Sequence, residues 1–247
     1  MKKIALFLLG FCLILSSCKN RNRYEINYDG PATIDIVLLE ELGLNVTSDY
    51  PLTYYSDNEL VVTVSENGVI LGKNVGEANV VISNAESTLT LKVVVSLFEE
   101  PSFDFYCNQA HIMDLYGMPY HTLGDSIYTY GGDDRWYSFA VWRMDFMFVD
   151  NQYIESVLYL RNSVDTRINE YLEDNYYYQG IINDTIDEVV YQYEIYLNNP
   201  DYKNASMMVS KLEDAGYYED ICLFYLPYEY TDEASAKEML KRSRKRK

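Results

Sequence analysis

The stretch Val61-Val62-Thr63-Val64-Ser65-Glu66-Asn67-Gly68-Val69-Ile70-Leu71-Gly72 decides the fold of the first half of the chain. Two short β-branched runs flank Glu66-Asn67-Gly68, a turn signal whose glycine tolerates positive φ, so the stretch reads strand–turn–strand. The same texture extends both ways. Upstream, Ile34, Ile36 and Leu38 alternate with Thr33, Asp35 and Val37. Downstream, Val80-Val81-Ile82 and Leu89–Val95 lie either side of a turn at Ser83-Asn84. Short strands with turn signals every 8–12 residues predict an all-β sandwich over residues 32–97. Gly76 suits a second turn with positive φ, and Gly72 a bend at a strand end.

The order of motifs in this region resembles the bacterial immunoglobulin-like group 2 (BIG2) domain. The matching residues are Tyr54-Tyr55-Ser56-Asp57-Asn58, then Val62-Thr63-Val64-Ser65, Gly68-Val69, Gly72 and Gly76-Glu77-Ala78-Asn79-Val80. Tyr stands where that family usually has Trp. The resemblance covers about a quarter of the chain. It implies a cysteine-free, seven-strand sandwich serving as a spacer or binding and adhesion module, without catalysis.

The start of the chain predicts an address. Lys2 and Lys3 precede an apolar run from Ile4 to Leu15. Twelve helical residues span about 18 Å, well short of the ~30 Å hydrocarbon core, so residues 1–17 read as a signal peptide. Leu15-Ser16-Ser17-Cys18 resembles the lipobox of bacterial lipoproteins. That resemblance implies cleavage before Cys18, a diacylglycerol on its sulfur and further acylation such as palmitate. Several acyl chains would anchor the protein to a membrane permanently. Residues 18–31 then form the lipidated cysteine and a short polar tether. No acidic run follows Cys18, which favours a periplasm-facing anchor at the outer membrane of the cell envelope, with the surface face as the alternative.

Glu99-Glu100-Pro101 marks a boundary, and residues 102–228 read as an α+β domain. A helix from about Asn108 to Tyr116 ends at Gly117 and Pro119. Strands follow at Ile127–Tyr130, Trp136–Val149 and Tyr153–Arg161, with a tight turn at Asp150-Asn151-Gln152. In the last strand Ile154, Leu158 and Leu160 are predicted to face in, and Glu155 and Arg161 out. Ser163 then caps a helix from Val164 to about Asn175, with Val164, Ile168, Tyr171 and Leu172 as its apolar stripe. Strands at Glu188–Leu197, Ala205–Leu212 and Tyr217–Tyr225 complete a second unit. The reading is a helix–three-strand unit used twice, with an antiparallel sheet. Leu115-Tyr116-Gly117-Met118-Pro119, Tyr128-Thr129-Tyr130 and Phe146–Asn151 resemble the BamE-type outer-membrane lipoproteins and the β-lactamase-inhibitor-like domains. This implies protein–protein contact in the envelope.

Charge is unevenly placed. Between Cys18 and Ala236 there are 37 acidic and 11 basic residues, a balance of −26. Such a body argues against nucleic acid as a partner. Residues 237–247 (KEMLKRSRKRK) carry seven basic residues and one acidic, +6, at the end of a tail spanning 229–247. That segment is suited to anionic lipid, to the chain's own acidic body, or to solvent.

Few residues suggest chemistry. Cys107 and Cys222 outlast the leader and either pair in an oxidising envelope or remain buried thiols. Cys107, His111 and Asp114 share one helix face at i, i+4, i+7, which would suit Zn²⁺, although a disulfide at Cys107 excludes it. Trp136-Tyr137, Tyr176-Tyr177-Tyr178 and Tyr217-Tyr218 offer rings for sugar stacking, but aromatics are also favoured strand formers. Gly131-Gly132-Asp133-Asp134 resembles the signature of cyclic-dinucleotide synthases, yet an exported chain meets no cytoplasmic nucleotide, so a hairpin turn is the better reading. Asp125-Ser126-Ile127 and Asp184-Thr185-Ile186 match a short envelope O-glycosylation pattern. No GxSxG, HExxH, Walker-A or CxxC motif is present. The expectation is a non-enzymatic envelope lipoprotein without cofactor. It would hold the membrane through Cys18 and bind an envelope protein, or alternatively a glycan.

Overall fold

The computed structural model describes residues 24–132, 137–161, 164–186, 189–212 and 221–228. The leader, Cys18, Trp136, Ser163, Tyr217-Tyr218 and the 229–247 tail lie outside them. The described chain is mostly β, and its sheets are antiparallel but for one pair of strands.

The first part contains β1 (Ile26–Asn27), β2 (Thr33–Val37), β3 (Glu41–Gly43), β4 (Thr47–Ser48), β5 (Thr53–Ser56), β6 (Val62–Val64), β7 (Val69–Gly72), β8 (Gly76–Ser83) and β9 (Thr88–Ser96). One sheet has the order β2-β9-β8-β5 and a second β3-β7-β6. β2 runs parallel to β9, and β1 and β4 form a small ribbon. Alternation does the packing. Ile34 and Ile36, Ala78, Val80 and Ile82, and Leu91, Val93 and Val95 turn inward to meet Val62 and Ile70 of the other sheet. Two sheets around one buried cluster are the arrangement of a β-sandwich. The quoted hairpin forms as read: Val62 pairs with Gly72 across the turn, and Gly68 adopts φ 75°. At Gly72 a Cβ would sit 3.0 Å from Val95 and 3.1 Å from the Val37 carbonyl, so close packing demands the glycine there.

The remainder builds one eight-stranded sheet. It contains α1 (Gln109–Tyr116), β10 (His121–Leu123), β11 (Ile127–Gly131), β12 (Val141–Val149), β13 (Gln152–Leu160), α2 (Asp165–Asn175), β14 (Tyr177–Ile186), β15 (Val189–Leu197), β16 (Met207–Leu212) and β17 (Ile221–Pro227). Each unit is therefore helix–four strands, not helix–three. The strands missing from the sequence reading are β10 and β14, which form the two sheet edges. The order β10-β11-β12-β13-β17-β16-β15-β14 joins the units through their last strands, Ser156 opposite Tyr225 and Leu160 opposite Ile221. Ile112 of α1 and Val164, Ile168 and Leu172 at α2 enter the same buried cluster, so both helices cover one face. The opposite face carries a second cluster, including Val157, Tyr193, Ile195, Met208, Cys222 and Leu226, to which no helical residue among those described contributes.

Both helix ends follow from their residues. The Asn108 side chain accepts the His111 amide at 3.0 Å, and Gly117 closes α1 at φ 77°. The β12–β13 turn is a two-residue one, Asp150-Asn151, at φ 51° and 63°. Asn and Asp are the non-glycine residues that best tolerate this left-handed region, so no glycine is needed. Gln152 already belongs to β13, opposite Val149.

The boundary at Glu99-Glu100-Pro101 is not a loose tether. Leu38, Leu97 and Phe98 are buried in the helix-side cluster of the second part, and Phe98 packs on Tyr171 with ring centroids 4.8 Å apart. Tyrosine hydroxyls hold the following residues. Tyr137 donates to Glu99 at 2.9 Å, Tyr176 donates to Glu100, and Tyr153 donates to the Ser102 carbonyl at 2.9 Å. The Ser102 amide donates to the Tyr116 hydroxyl at 2.7 Å.

Candidate functional site

A cavity of about 860 Å³ opens where the tip of the β12–β13 hairpin meets the start of α1. Its polar lining includes Asp125, Asp150 and Glu155, with Gln109 and Asn151 between them. Its apolar lining includes Met147 and Ile154, which pack against the face the helices leave bare. A β-bulge shapes it: Met147 pairs with Glu155 and Phe148 with Tyr153, leaving Ile154 unopposed. Bulges bend a strand and re-aim its side chains. Here the bulge reverses the sequence reading of Glu155, which is 2 % exposed rather than turned to solvent. No lysine, arginine or histidine is among the described residues that line the cavity. Its character is anionic and concave, with an apolar wall.

A second polar cluster lies on the same face. Asp145 is 1 % exposed. Arg143 chelates it, Nε donating to Oδ1 at 2.8 Å and Nη2 to Oδ2 at 2.6 Å, while the Thr129 hydroxyl donates to Oδ1 at 2.8 Å. The guanidinium also lies 5.0 Å from the centre of the Tyr159 ring. Such a pair is structural chemistry: the buried carboxylate is neutralised by a planar, bidentate partner.

The residues singled out from sequence are placed as follows. Cys107 and Cys222 are not joined in a disulfide. Cys107 packs against the helix-side cluster and Cys222 belongs to the cluster on the opposite face, so the sheet stands between them. Burial and the neighbouring Asp104 push the Cys107 thiol pKa up, away from a reactive thiolate. His111 turns to Asp104, Nε2 to Oδ2 at 2.8 Å, rather than joining Cys107 and Asp114. Among the described residues no group of three His, Cys, Asp or Glu has metal-holding geometry.

Tyr176, Tyr177 and Tyr178 do not form one platform. Tyr176 is buried against the helix side, its hydroxyl spent on Glu100. Tyr177 and Tyr178, 47 % and 53 % exposed, are successive strand residues and point to opposite faces. Tyr178 leans on Tyr196 at 5.4 Å. Tyr137 is half-buried on Glu99.

The interior phenols carry a pH consequence. Burial pushes Tyr116 and Tyr130 up to about 12. Their raised folded-state values mean that the stabilisation is complete below pH 10 and is lost as pH rises from 10 toward 12. Tyrosinate absorbance at 295 nm is expected to appear over that window together with loss of far-ultraviolet strand signal. Ionisation of these rings at pH 10 in a fully folded chain would contradict the burial.

Sequence reasoning missed the cavity. Asp125 was legible only as part of a glycosylation pattern and Asp150 only as a turn residue. Glu155 was assigned outward because a bulge has no compositional signature. In comparisons with known proteins, no family model and no curated protein matches this chain. The solved structure of the S-layer protein SbsC, domains 5-6, aligns with 85 % of this chain and 97 % of that one, at a TM-score of 0.27 and 8 % identity, a likeness too low to bear on fold or function.

Proposed function

We propose that this chain is a non-enzymatic lipoprotein of the cell envelope, held at the outer membrane by a diacylglycerol on Cys18, that binds an envelope protein. Its first part is read as an immunoglobulin-like domain, which the two sheets around one core support. Its second part is read as an α+β binding domain. The observation that carries the binding role is β14. Among the described residues this ten-residue strand is a sheet edge, and it and β15 expose Tyr177, Ile181, Val189 and Val190. An open edge with apolar side chains is a template for strand addition by a partner. The latched junction supports the same role, because a stiff stalk presents a binding edge at a fixed distance from the bilayer.

Two measurements test this. A clickable fatty acid fed to cells is expected to label the wild type and not Cys18→Ser; an unlabelled, unprocessed wild type in the cytosol would sink the anchor. A photo-crosslinker placed at Ile181 of the full chain is expected to trap one discrete envelope protein, and Val190→Lys is expected to remove the adduct. Failure of crosslinkers placed at Ile181 and at Tyr177 to trap any protein would refute the binding role. Binding on a glycan array that Tyr177→Ala abolishes would replace it with glycan capture.

A further inference from the structure

We propose that the cavity lined by Asp125, Asp150 and Glu155 is the docking site for the chain's own basic segment, residues 237–247. The inference is independent of lipid anchoring.

Position is the first argument. β17 runs antiparallel to β13 with Tyr225 opposite Ser156, so the next residues toward the cavity are Leu226 on β17 and Glu155 on β13. Tyr228, the last residue described before the tail, is fixed by its amide donating to the Ser206 carbonyl at 2.8 Å. The chain therefore leaves the sheet beside the cavity wall. Eight residues separate Tyr228 from Lys237, and at ~3.3–3.6 Å per residue they reach up to about 30 Å. Tethering over so short a distance gives the segment an effective concentration in the millimolar range.

Charge and shape are the second argument. Three carboxylates meet in the lining, with no cation among its described residues. The segment KEMLKRSRKRK supplies seven cations against one acid. Lysine and arginine carry apolar stems below their charged heads, and Met239-Leu240 lies among them. Those stems and side chains match the apolar wall of Met147, Ile154 and Ile127. A concave site that buries stems while pairing heads is more selective than a flat acidic surface.

The test is the rate at which trypsin trims residues 237–247 from the full chain. Several charge pairs of ordinary surface strength, acting together on a tethered segment, are expected to slow cleavage about tenfold. Asp125→Asn with Asp150→Asn is expected to remove most of that protection, as is 0.5 M salt. The Asp150 change is benign for the turn, since asparagine tolerates the left-handed backbone at least as well. Glu155→Gln serves as a third variant, its fold checked by circular dichroism. Carbodiimide coupling is expected to join lysines of 237–247 to the exposed Asp125 or Asp150. A mixture of isotope-labelled and unlabelled protein shows whether the link lies within one chain. Cleavage at one rate in all variants overturns the proposal, whether or not phosphatidylglycerol vesicles capture the tail. Links to acids elsewhere, or only between two copies, overturn it as well.

Discussion

Replacing Arg143 with alanine is expected to cost about 3 kcal/mol of stability, the lower end for breaking a buried ion pair. Asp145 is 1 % exposed, on the face of the sheet opposite the helices. Its two oxygens are held by Arg143 and Thr129. Without the guanidinium the carboxylate keeps only the hydroxyls of Thr129 and Tyr159 and little water. Arg143 itself is partly exposed, so some water will enter, which is why the lower end applies. With an m-value of about 2–3 kcal/mol/M for a chain of this size, the urea midpoint should fall by about 1 M. The double change Arg143→Met with Asp145→Leu should recover much of the loss, because a well-packed apolar pair often equals a buried ionic one. A midpoint shift below a quarter of that expected for Arg143→Ala would show that Asp145 is not buried as described.

Phe98→Ala is expected to cost about 3–5 kcal/mol and to change the character of unfolding. Phe98 belongs to the first part by sequence, yet it is buried among the residues of the second and packs on Tyr171. With Leu38 and Leu97 it makes the two parts share a core. The wild type is therefore expected to melt in one calorimetric transition. The alanine variant should give two, the lower belonging to the eight-stranded sheet that lost its plug. Small-angle scattering should widen in the same variant. A single, unshifted transition would rule out the shared core.

Much of this architecture was legible from sequence where one rule acted alone. The 61–72 hairpin follows from a turn signal between β-branched runs. α2 follows from its stripe, since Val164, Ile168 and Leu172 are all fully buried. The illegible parts are places where two demands met. β14 reads YYQGIINDTI, and as an edge it has no strict alternation to display. β16 is buried on both faces, MMVSKL throughout, so a period of two disappears. Lys211 in that strand is accommodated by donating to Asn169 at 2.6 Å, a partner on α2 far away in sequence. Glu155 turned inward because of a bulge one residue earlier. The tyrosines were visible as composition, but only the fold reveals that Tyr116, Tyr137, Tyr153 and Tyr176 latch Glu99, Glu100 and Ser102. The thiols were visible too, but whether they pair depends on which side of a sheet each lies.

The seam between β13 and β17 has a consequence for how the polypeptide is made. Some sixty residues separate these strands, and each is the last of its unit. A chain emerging amino-terminus first would finish its first unit with β13 paired to β12 on one side only, its other edge open until the final strand arrives. Long-range closure of this kind is slow, and open ribbons are where nascent chains associate with one another. Biogenesis should thus depend on a holding chaperone for the interval between synthesis of Leu160 and of Ile221. Premature stops placed within that interval should yield aggregates rather than a soluble half.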